Sequence, residues 1–308
     1  MPAPEISVLI NNYNYGRYVA RAIDSALSQQ GPSFEVIVVD DGSTDGSRQV
    51  IAAYGPAVRA VFQRNQGQAA AMNAAVAASR GAILCFLDAD DWFMPGKLAA
   101  VARTFADDPD LGLVYHRLQP TGNDDALRGP PVPRSLCQGD LAPRMARTAG
   151  VWPFPMTSAL SVRRKAWDRV GAIPLRFRIS ADAWLVGAIP FMFRVAALPQ
   201  ALGGYRIHDN TWHRAEDDAP MLRRRMDHWQ ATVEELNAFL AARGLGWRLD
   251  MADHFPHRVA ASRLRPLGLA ERTRLFLRGL RFAGEPHMLR RGRDALRTLR
   301  LRQTADAT

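Results

Sequence analysis

Short apolar runs alternate with helical patterns along the first 115 residues, and each run ends in polar residues. The runs are Ile6–Ile10, Phe34–Val39, Val58–Gln63 and Ile83–Leu87. Between them, apolar residues recur at three- and four-residue steps, which is the spacing of one helix face. A strand, a polar end and a helix, repeated four times, predict a mostly parallel sheet with crossover helices.

The fourth run ends in three carboxylates, Asp88, Asp90 and Asp91. A buried strand cannot hold charge in its middle, so these acids mark the point where the strand leaves the core. Ligands of open α/β sheets bind at this edge, and a hard divalent cation would relieve the repulsion between the acids. A second interpretation is an acidic loop that caps the next helix through Asp91.

The amino-acid composition limits the classes of protein to which the chain can belong. The chain has 308 residues, 47% hydrophobic and 23% charged, which suits a globular protein with a large core. It holds no apolar run long enough to span a bilayer, and its first residues lack the pattern of a signal peptide. Two cysteines, Cys85 and Cys137, make a disulfide framework unexpected. We therefore expect a reducing, cytoplasmic location.

The net charge of +10 is unevenly distributed. Residues 1–219 hold 22 Lys+Arg and 21 Asp+Glu, whereas residues 220–308 hold 18 arginines and 9 acids. This asymmetry predicts two regions with different partners.

The repeated strand, polar end and helix form an arrangement typical of nucleotide-binding proteins, but the usual nucleotide-binding motifs are missing from the sequence. The chain has no GxGxxG after its first strand and no GxxxxGK[ST], which argues against a dinucleotide-dependent dehydrogenase and a P-loop NTPase. Other residues could serve a nucleotide: Tyr13 could stack on a base, and Asp41 could accept from a base N–H. Each also has a structural interpretation, Tyr13 as a packing aromatic and Asp41 as part of an ordinary turn.

Four segments together resemble family 2 glycosyltransferases. They are Ser7–Gln29, Val38–Asp45, Asn65-Gln66-Gly67 with Asn73, and Phe86–Asp91. The resemblance is strong over residues 5–115 and looser to about residue 213. It implies a GT-A (Rossmann-like) fold and an inverting transferase that uses a nucleotide-diphosphate sugar and a divalent cation, Mn²⁺ or Mg²⁺.

The resemblance also assigns residues of the donor site. Asn11, Tyr13, Asp41 and Gly67 would surround the nucleoside. Asp88, Ala89 and Asp90 would meet the diphosphate, with Asp88, Asp90 and Asp91 as the metal-binding acids.

The second half of the resemblance, residues 116–213, concerns the acceptor. Asp182 corresponds to the family's general base, and Ala181 departs from the acid that usually precedes it. Asp182 could instead cap the helix that follows. His208, in a Tyr-Arg-x-His ending, could reach the diphosphate or the metal, or be structural. Residues 118–147 read as a long loop, either bordering the acceptor site or a tolerated insertion.

The C-terminal region predicts amphipathic helices. An apolar stripe between residues 222 and 240 could dock on the catalytic domain or form a homodimer seam. Further on, Met288, Leu289, Ala295, Leu296 and Leu299 share one helix face. Arginines 290, 293, 297 and 300 adjoin it, a pattern that suits an anionic membrane surface or a solvated helix. Stacking aromatics do not interleave with the arginines, so we expect no nucleic-acid partner.

We therefore predict residues 1–213 as a GT-A domain, with a nucleotide-sugar half over 1–115 and an acceptor half over 116–213. Residues 214–308 form a helical, Arg-rich region. The predicted activity is sugar transfer to a glycan or lipid-linked acceptor in surface polysaccharide assembly, at the inner face of a membrane. The alternatives are a non-catalytic nucleotide-sugar sensor, which Ala181 favours, and an Arg-rich nucleic-acid-binding protein.

Overall fold

One eight-stranded mixed sheet organises the chain. The computed structural model describes residues 3–154, 156–208, 218–265 and 267–299. The strands are β1 Ile6–Asn12, β2 Phe34–Asp40, β3 Arg59–Phe62, β4 Ile83–Asp88, β5 Trp92–Phe93, β6 Leu111–Thr121, β7 Leu160–Arg163 and β8 Arg194–Arg206. Their order across the sheet is β3-β2-β1-β4-β7-β6-β8-β5.

The first half of the sheet is parallel, as the sequence predicts. β1 pairs in parallel with β2 and β4, and β2 pairs in parallel with β3. Ile10 lies opposite both Val38 and Leu87, so the strands end at nearly the same level. The polar residues that follow β1, β2 and β4 are therefore neighbours along one edge.

The second half of the sheet departs from the parallel pattern of the first half and from the predicted loop over residues 118–147. β7 runs antiparallel to β4 and β6, and β6 extends to Thr121, well into the predicted loop. β8, which pairs in parallel with β6, is a strand that the sequence pattern does not show. Its ladder skips from Leu198 to Ala201, around Pro199, because proline cannot donate to a sheet ladder.

Eleven α-helices accompany the sheet within the described ranges. They are α1 Gly16–Leu27, α2 Ser47–Ala52, α3 Gln68–Ala78, α4 Lys97–Asp107, α5 Ala142–Ala146, α6 Arg164–Val170, α7 Asp182–Ala188, α8 Ala219–Ala242, α9 Phe255–Leu264, α10 Leu269–Arg281 and α11 Met288–Leu299. Short 3₁₀ turns lie at Gly55–Ala57, Thr157–Ala159, Ile189–Phe191 and Met251–Asp253. This mixed α/β architecture is the predicted fold class.

The chain divides into two compact units. The first comprises Met1–Asp140 and Phe154–His208, and the second comprises Leu141–Pro153 and Asp209–Thr308. The short helix α5 thus groups with the C-terminal helices, although the sequence suggests a single boundary at residue 213. That boundary, like Arg300, lies outside the described residues.

The predicted apolar stripe falls on α8. Leu222, Val233, Leu236 and Leu240 of this stripe are buried. Trp229 lies against His254, with ring centroids 5.0 Å apart.

Across the parts of the chain that the structure describes, we find no helix with the length and apolar character that crossing a bilayer requires.

Candidate active site

The ends of β1 and β2 form one side of the site. Tyr13 follows β1 and is 46% exposed, so its ring is available to a ligand. Asp41 follows β2 and is buried; its carboxylate accepts from Gln63 Nε2 at 2.7 Å, Gln66 N at 3.0 Å and Gly67 N at 2.7 Å. A carboxylate offers about four acceptor sites, so three internal donors leave room for one more. An open groove of about 420 Å³ adjoins it, lined by Gly42, Ser43, Arg48, Phe62, Gln63, Arg64 and Asn65.

Gly67 joins this side of the site to the loop before α7. Its φ is +94°, a conformation that L side chains rarely adopt. A Cβ at this position would lie 2.7 Å from Arg178 Cα. Glycine is therefore required both by the backbone angle and by the close approach of Arg178.

Asp88 ends β4 and is held by two neutral donors. Its Oδ1 accepts from Asn11 Nδ2 at 2.8 Å and from Gln68 Nε2 at 3.0 Å. Burial, and then the charge of Asp90, raises the pKa of Asp88 to about 7. Among the described residues, nothing donates to the buried Asn11 Oδ1, an orphaned acceptor of the kind that a ligand or water usually satisfies.

Asp91 points away from a ligand position and into the protein. It is buried, and its two oxygens accept from Ser158 Oγ and from the Arg206 backbone N, at 2.5 and 2.9 Å. Burial, and then the charge of Asp90, raises its pKa well above the ordinary value. Behind it, the buried Lys97 donates from Nζ to Ser158 O at 2.9 Å. Because both its oxygens already accept internal hydrogen bonds, Asp91 is better placed to support the loop than to bind a metal.

Asp90 faces His208 across the site. Its Oδ2 lies 2.8 Å from His208 Nε2, and the His208 ring stacks on Tyr18 with centroids 5.7 Å apart. Between the acids, the Ala89 side chain is fully buried and its N–H donates to Asn11 O at 3.1 Å. Ala89 thus fixes the start of the turn that separates Asp88 from Asp90.

Asp182 is the first residue of α7, and Ala181 occupies the N-cap position. Burial raises the pKa of Asp182 to about 6, although N–H groups of the surrounding backbone favour its charged form. Ala181 is also buried, and its N–H donates to Gln68 Oε1 at 3.0 Å. Gln68 therefore links the segment that carries Asp182 to Asp88.

Four of these carboxylates act on one neighbour. Tyr205 has its pKa raised by burial and then by the charges of Asp91, Asp90, Asp88 and Asp182. A buried cation also contacts this segment, because Arg206 Nε donates to Asp90 O at 3.0 Å. The acids that follow β4 and the first residue of α7 therefore form one acidic cluster.

The donor set suits a divalent cation shared with a ligand. Within the described ranges, no group of three or more His, Cys, Asp or Glu side chains forms a ready-made metal cage. Mg²⁺ is usually bound by one or two carboxylates together with substrate phosphates and waters. Asp88 and Asp90 supply such a partial set, with His208 beside Asp90, so the residues fit a metal that arrives with a diphosphate.

Three residues of the site are not singled out by the sequence pattern: Gln68, Ser158 and Lys97. Gln68 directly follows the Asn65-Gln66-Gly67 segment at the start of a helix that begins at the binding edge, and this position was the available signal. Ser158 and Lys97 act on residues 67 and 61 positions away, so no local pattern indicates them.

Comparisons with known proteins agree on the family and the fold. A family model described as "Glycosyl transferase family 2" matches residues 7–170. A protein of Nostoc sp. (strain PCC 7120 / SAG 25.82 / UTEX 2576) described as an uncharacterized glycosyltransferase is 35% identical over 261 residues, covering 82% of this chain and 81% of that protein. The succinoglycan biosynthesis protein ExoO of Rhizobium meliloti is 40% identical over 97 residues, which are 31% of this chain and 28% of ExoO.

Among solved structures, residues 1–349 of S. aureus TarS in complex with UDP-GlcNAc share the fold. The TM-score is 0.59, with 16% identity, and the match covers 96% of this chain and 90% of that one.

Proposed function

The chain belongs to glycosyl transferase family 2 and is a glycosyltransferase, and we propose on this premise that it moves a sugar from a nucleotide-diphosphate donor to a hydroxyl of a glycan or lipid-linked acceptor, with inversion. The observation that supports the proposal is the hydrogen-bonded connection from Asp88 through Gln68 to Ala181, the residue before Asp182. It connects an acid proposed for the diphosphate site to the segment that carries the acid proposed for proton removal.

The donor would lie along the ends of β1, β2 and β4. Tyr13 offers an exposed ring for the base, and Asp41 has acceptor capacity left for a base N–H. Asn11 Oδ1 offers a further acceptor toward the ligand. Gly67 acts indirectly, because its N–H fixes the Asp41 carboxylate. The UDP-GlcNAc bound to TarS is consistent with a donor of this class.

Asp88 and Asp90 would hold the divalent cation, Mn²⁺ or Mg²⁺, and His208 would orient Asp90. When bound, such a cation neutralises the charge that develops on the departing diphosphate. We assign Asp91 to supporting this loop, since both its oxygens already have internal donors. Ala89 contributes the spacing between the two ligating acids.

Asp182 is the candidate general base. In a direct displacement, the acceptor oxygen bonds to the anomeric carbon as its proton passes to Asp182. The bond between that carbon and the diphosphate oxygen breaks, and its electron pair leaves with the nucleoside diphosphate. A pKa near 6 suits this role, because the carboxylate is charged at neutral pH yet basic enough to take a proton.

The acceptor class is proposed from the chain's relatives. ExoO is named for succinoglycan biosynthesis, so we propose a glycan of a surface polysaccharide, free or lipid-linked, as the acceptor. A nucleotide-sugar sensor is the second candidate, because Ala181 removes one acid from the base region. It would bind the donor in the same way but transfer nothing.

The proposal is tested by thermal-shift titration of nucleoside diphosphates and their sugars, with Mn²⁺, with Mg²⁺ and with chelator. A ligand at a hundred times its dissociation constant stabilises the folded state by about 2.7 kcal/mol. We expect stabilisation that needs the metal in the wild type and that Asp90→Asn loses. Asp107→Asn, an exposed acid on α4, is the matched control and should behave as the wild type.

Two outcomes decide between the alternatives. Unchanged metal dependence in Asp90→Asn would place the metal site elsewhere and contradict the proposal. Metal-dependent donor binding without transfer to any tested acceptor glycan, and without donor hydrolysis, would favour the sensor.

A further inference from the structure

The outer surface of the hairpin formed by α10 and α11 carries exposed apolar side chains. Leu269 is 82% exposed, and Met288 and Leu289 are each 80% exposed. The two helices pack closely, because a Cβ on Gly279 would lie 2.9 Å from Ala295 Cβ. We use the name leucine face for six exposed residues: Leu269, Leu277, Leu280, Leu289, Leu296 and Leu299.

The leucine face lies on one side of the hairpin. The helices run antiparallel, since Arg272 near the start of α10 donates to Leu299 O at the end of α11. Successive residues of an α-helix are about 100° apart around its axis. Around the axis of α10, the exposed leucines lie to one side of the contact residues Leu275 and Gly279. Around the axis of α11, the exposed leucines are rotated from the contact residue Ala295 in the same direction. In an antiparallel pair, equal rotation from the contact line leads to the same side, so the leucines form one surface.

Positive charge surrounds this surface. Residues 269–299, which form the hairpin, contain eight arginines, no lysine and three acids. On α11, Arg293 and Arg297 come next around the helix after the leucines and are exposed. Both lie near one shared acid, Asp294. By formal charge, the arginines of the hairpin exceed its acids by five.

A basic cavity adjoins the leucine face at the end of α10. Its volume is about 240 Å³, and Leu277 belongs both to its wall and to the leucine face. The remaining wall consists of Arg147, Ala252, Asp253, Phe255, Arg258, Arg278, Arg281, Phe282 and Ala283. Four guanidinium groups thus meet one carboxylate, which is a composition suited to an anion.

One backbone carbonyl holds two of the guanidinium groups in place. Arg278 Nη1 and Arg258 Nε both donate to Ala252 O, at 2.9 and 2.5 Å. Burial, and then the charge of Arg278, lowers the pKa of Arg258, while the carboxylates of Asp253 and Asp250 act in the opposite direction. A bound phosphate would add a further negative charge beside the two cations.

We infer that the α10–α11 hairpin docks on an anionic lipid bilayer, with the leucine face entering the interface and the basic cavity binding a lipid phosphate. The pairing of an apolar face with flanking arginines is that of an interfacial helix. A second copy of this chain is a poorer occupant, because it would bring eight arginines of one hairpin against eight of the other. Single-stranded nucleic acid is also poorer, because the exposed large apolar residues of the hairpin are Leu and Met rather than aromatic.

The test is co-sedimentation of the full chain with vesicles. One set contains phosphatidylcholine alone, and the other contains equal parts of phosphatidylcholine and phosphatidylglycerol, each at low and high salt. We expect binding to the anionic set, reduced by salt, because the negative surface potential of the lipids attracts basic residues and salt screens that attraction. Two double variants, Leu289→Ser with Leu296→Ser and Arg278→Gln with Arg281→Gln, should each weaken binding at least tenfold.

Matched controls change the same residue types in the first unit. Leu127→Ser removes an exposed leucine, and Arg103→Gln removes an exposed arginine; both should bind vesicles as the wild type does. Thermal midpoints and donor binding are measured on every variant, which separates this inference from the proposed transfer activity.

Equal binding to neutral and anionic vesicles, or no binding at low salt, overturns the inference. Wild-type binding by both double variants also overturns it and would move the contact to another surface. If only the arginine variant binds normally, the lipid-phosphate site in the cavity is rejected.

Discussion

At the scale of single residues, the site stabilises its carboxylates mainly with neutral donors. Asp88 accepts from Asn11 and Gln68, and Asp91 accepts from Ser158 and a backbone N–H. A hydrogen bond to a charged group contributes about 1.5–3 kcal/mol to stability, which is more than a hydrogen bond between neutral groups contributes. Neutral donors hold these carboxylates in place without cancelling their negative charge, which remains to attract a cation.

Gln68 has the largest expected effect among the residues that touch no ligand. Gln68→Met keeps the length of the side chain and removes both the donor to Asp88 and the acceptor for Ala181 N. We expect metal-dependent donor affinity and the transfer rate to fall together, each by at least about tenfold, because the loss of one hydrogen bond to a charged carboxylate already implies that factor. The measurement is donor titration with steady-state kinetics.

Gln66→Met is the matched control, because Gln66 is exposed two residues away and its backbone, not its side chain, bonds to Asp41 and Arg178. A merely structural role for Gln68 would instead lower the thermal midpoint and leave the kinetic constants of the folded fraction unchanged. That outcome would remove Gln68 from the account of the site.

At the scale of elements, the turn before α3 joins the segment that follows β2 to the segment before α7. Its residues hold Asp41 on one side, and Gln68 N donates to Arg178 O at 2.9 Å on the other. The turn works because Gly67 permits both its backbone angle and the approach of residue 178. The geometry of the two halves of the site therefore depends on this one position.

Gly67→Ala should disturb both halves. A strained backbone angle alone corresponds to about 1–3 kcal/mol, and the crowding against Arg178 adds to it. We expect a lower thermal midpoint and weaker donor binding. Gly55→Ala is the control, since Gly55 also has a positive φ, +52°, but nothing within 4 Å of an added Cβ. Equal losses in the two variants would show that crowding at residue 67 is unimportant.

The elements also explain what the sequence could predict. β4 is a continuous apolar run, and β1 and β2 are apolar apart from Ser7 and Glu35 until each strand ends in polar residues. The burial and the common edge of these strands therefore follow from the pattern alone. β8 contains Pro199 and two glycines and bulges against β6, and β5 has two residues, so neither shows a periodic signal. The hydrogen bonds of the Gln68 and Lys97 side chains depend on contacts between distant parts of the chain, which a single sequence does not specify.

At the scale of the whole molecule, acidic and basic chemistry are separated. The carboxylates converge in the unit formed by Met1–Asp140 and Phe154–His208, whereas the arginine excess belongs to the other unit. The proposed donor site and the proposed membrane contact therefore involve different residues. Each can be tested with variants that leave the residues of the other unchanged.

The central claim is that Asp182 removes the acceptor proton in a site that binds the donor through other residues. The most direct measurement compares donor affinity and transfer rate in the wild type, in Asp182→Asn and in the control Asp168→Asn, which changes an exposed acid on α6. At a pH well above 6, where the raised pKa leaves Asp182 charged, Asp182→Asn should bind the donor normally and transfer about 10²–10⁴-fold more slowly. Transfer at the wild-type rate by Asp182→Asn would contradict the account.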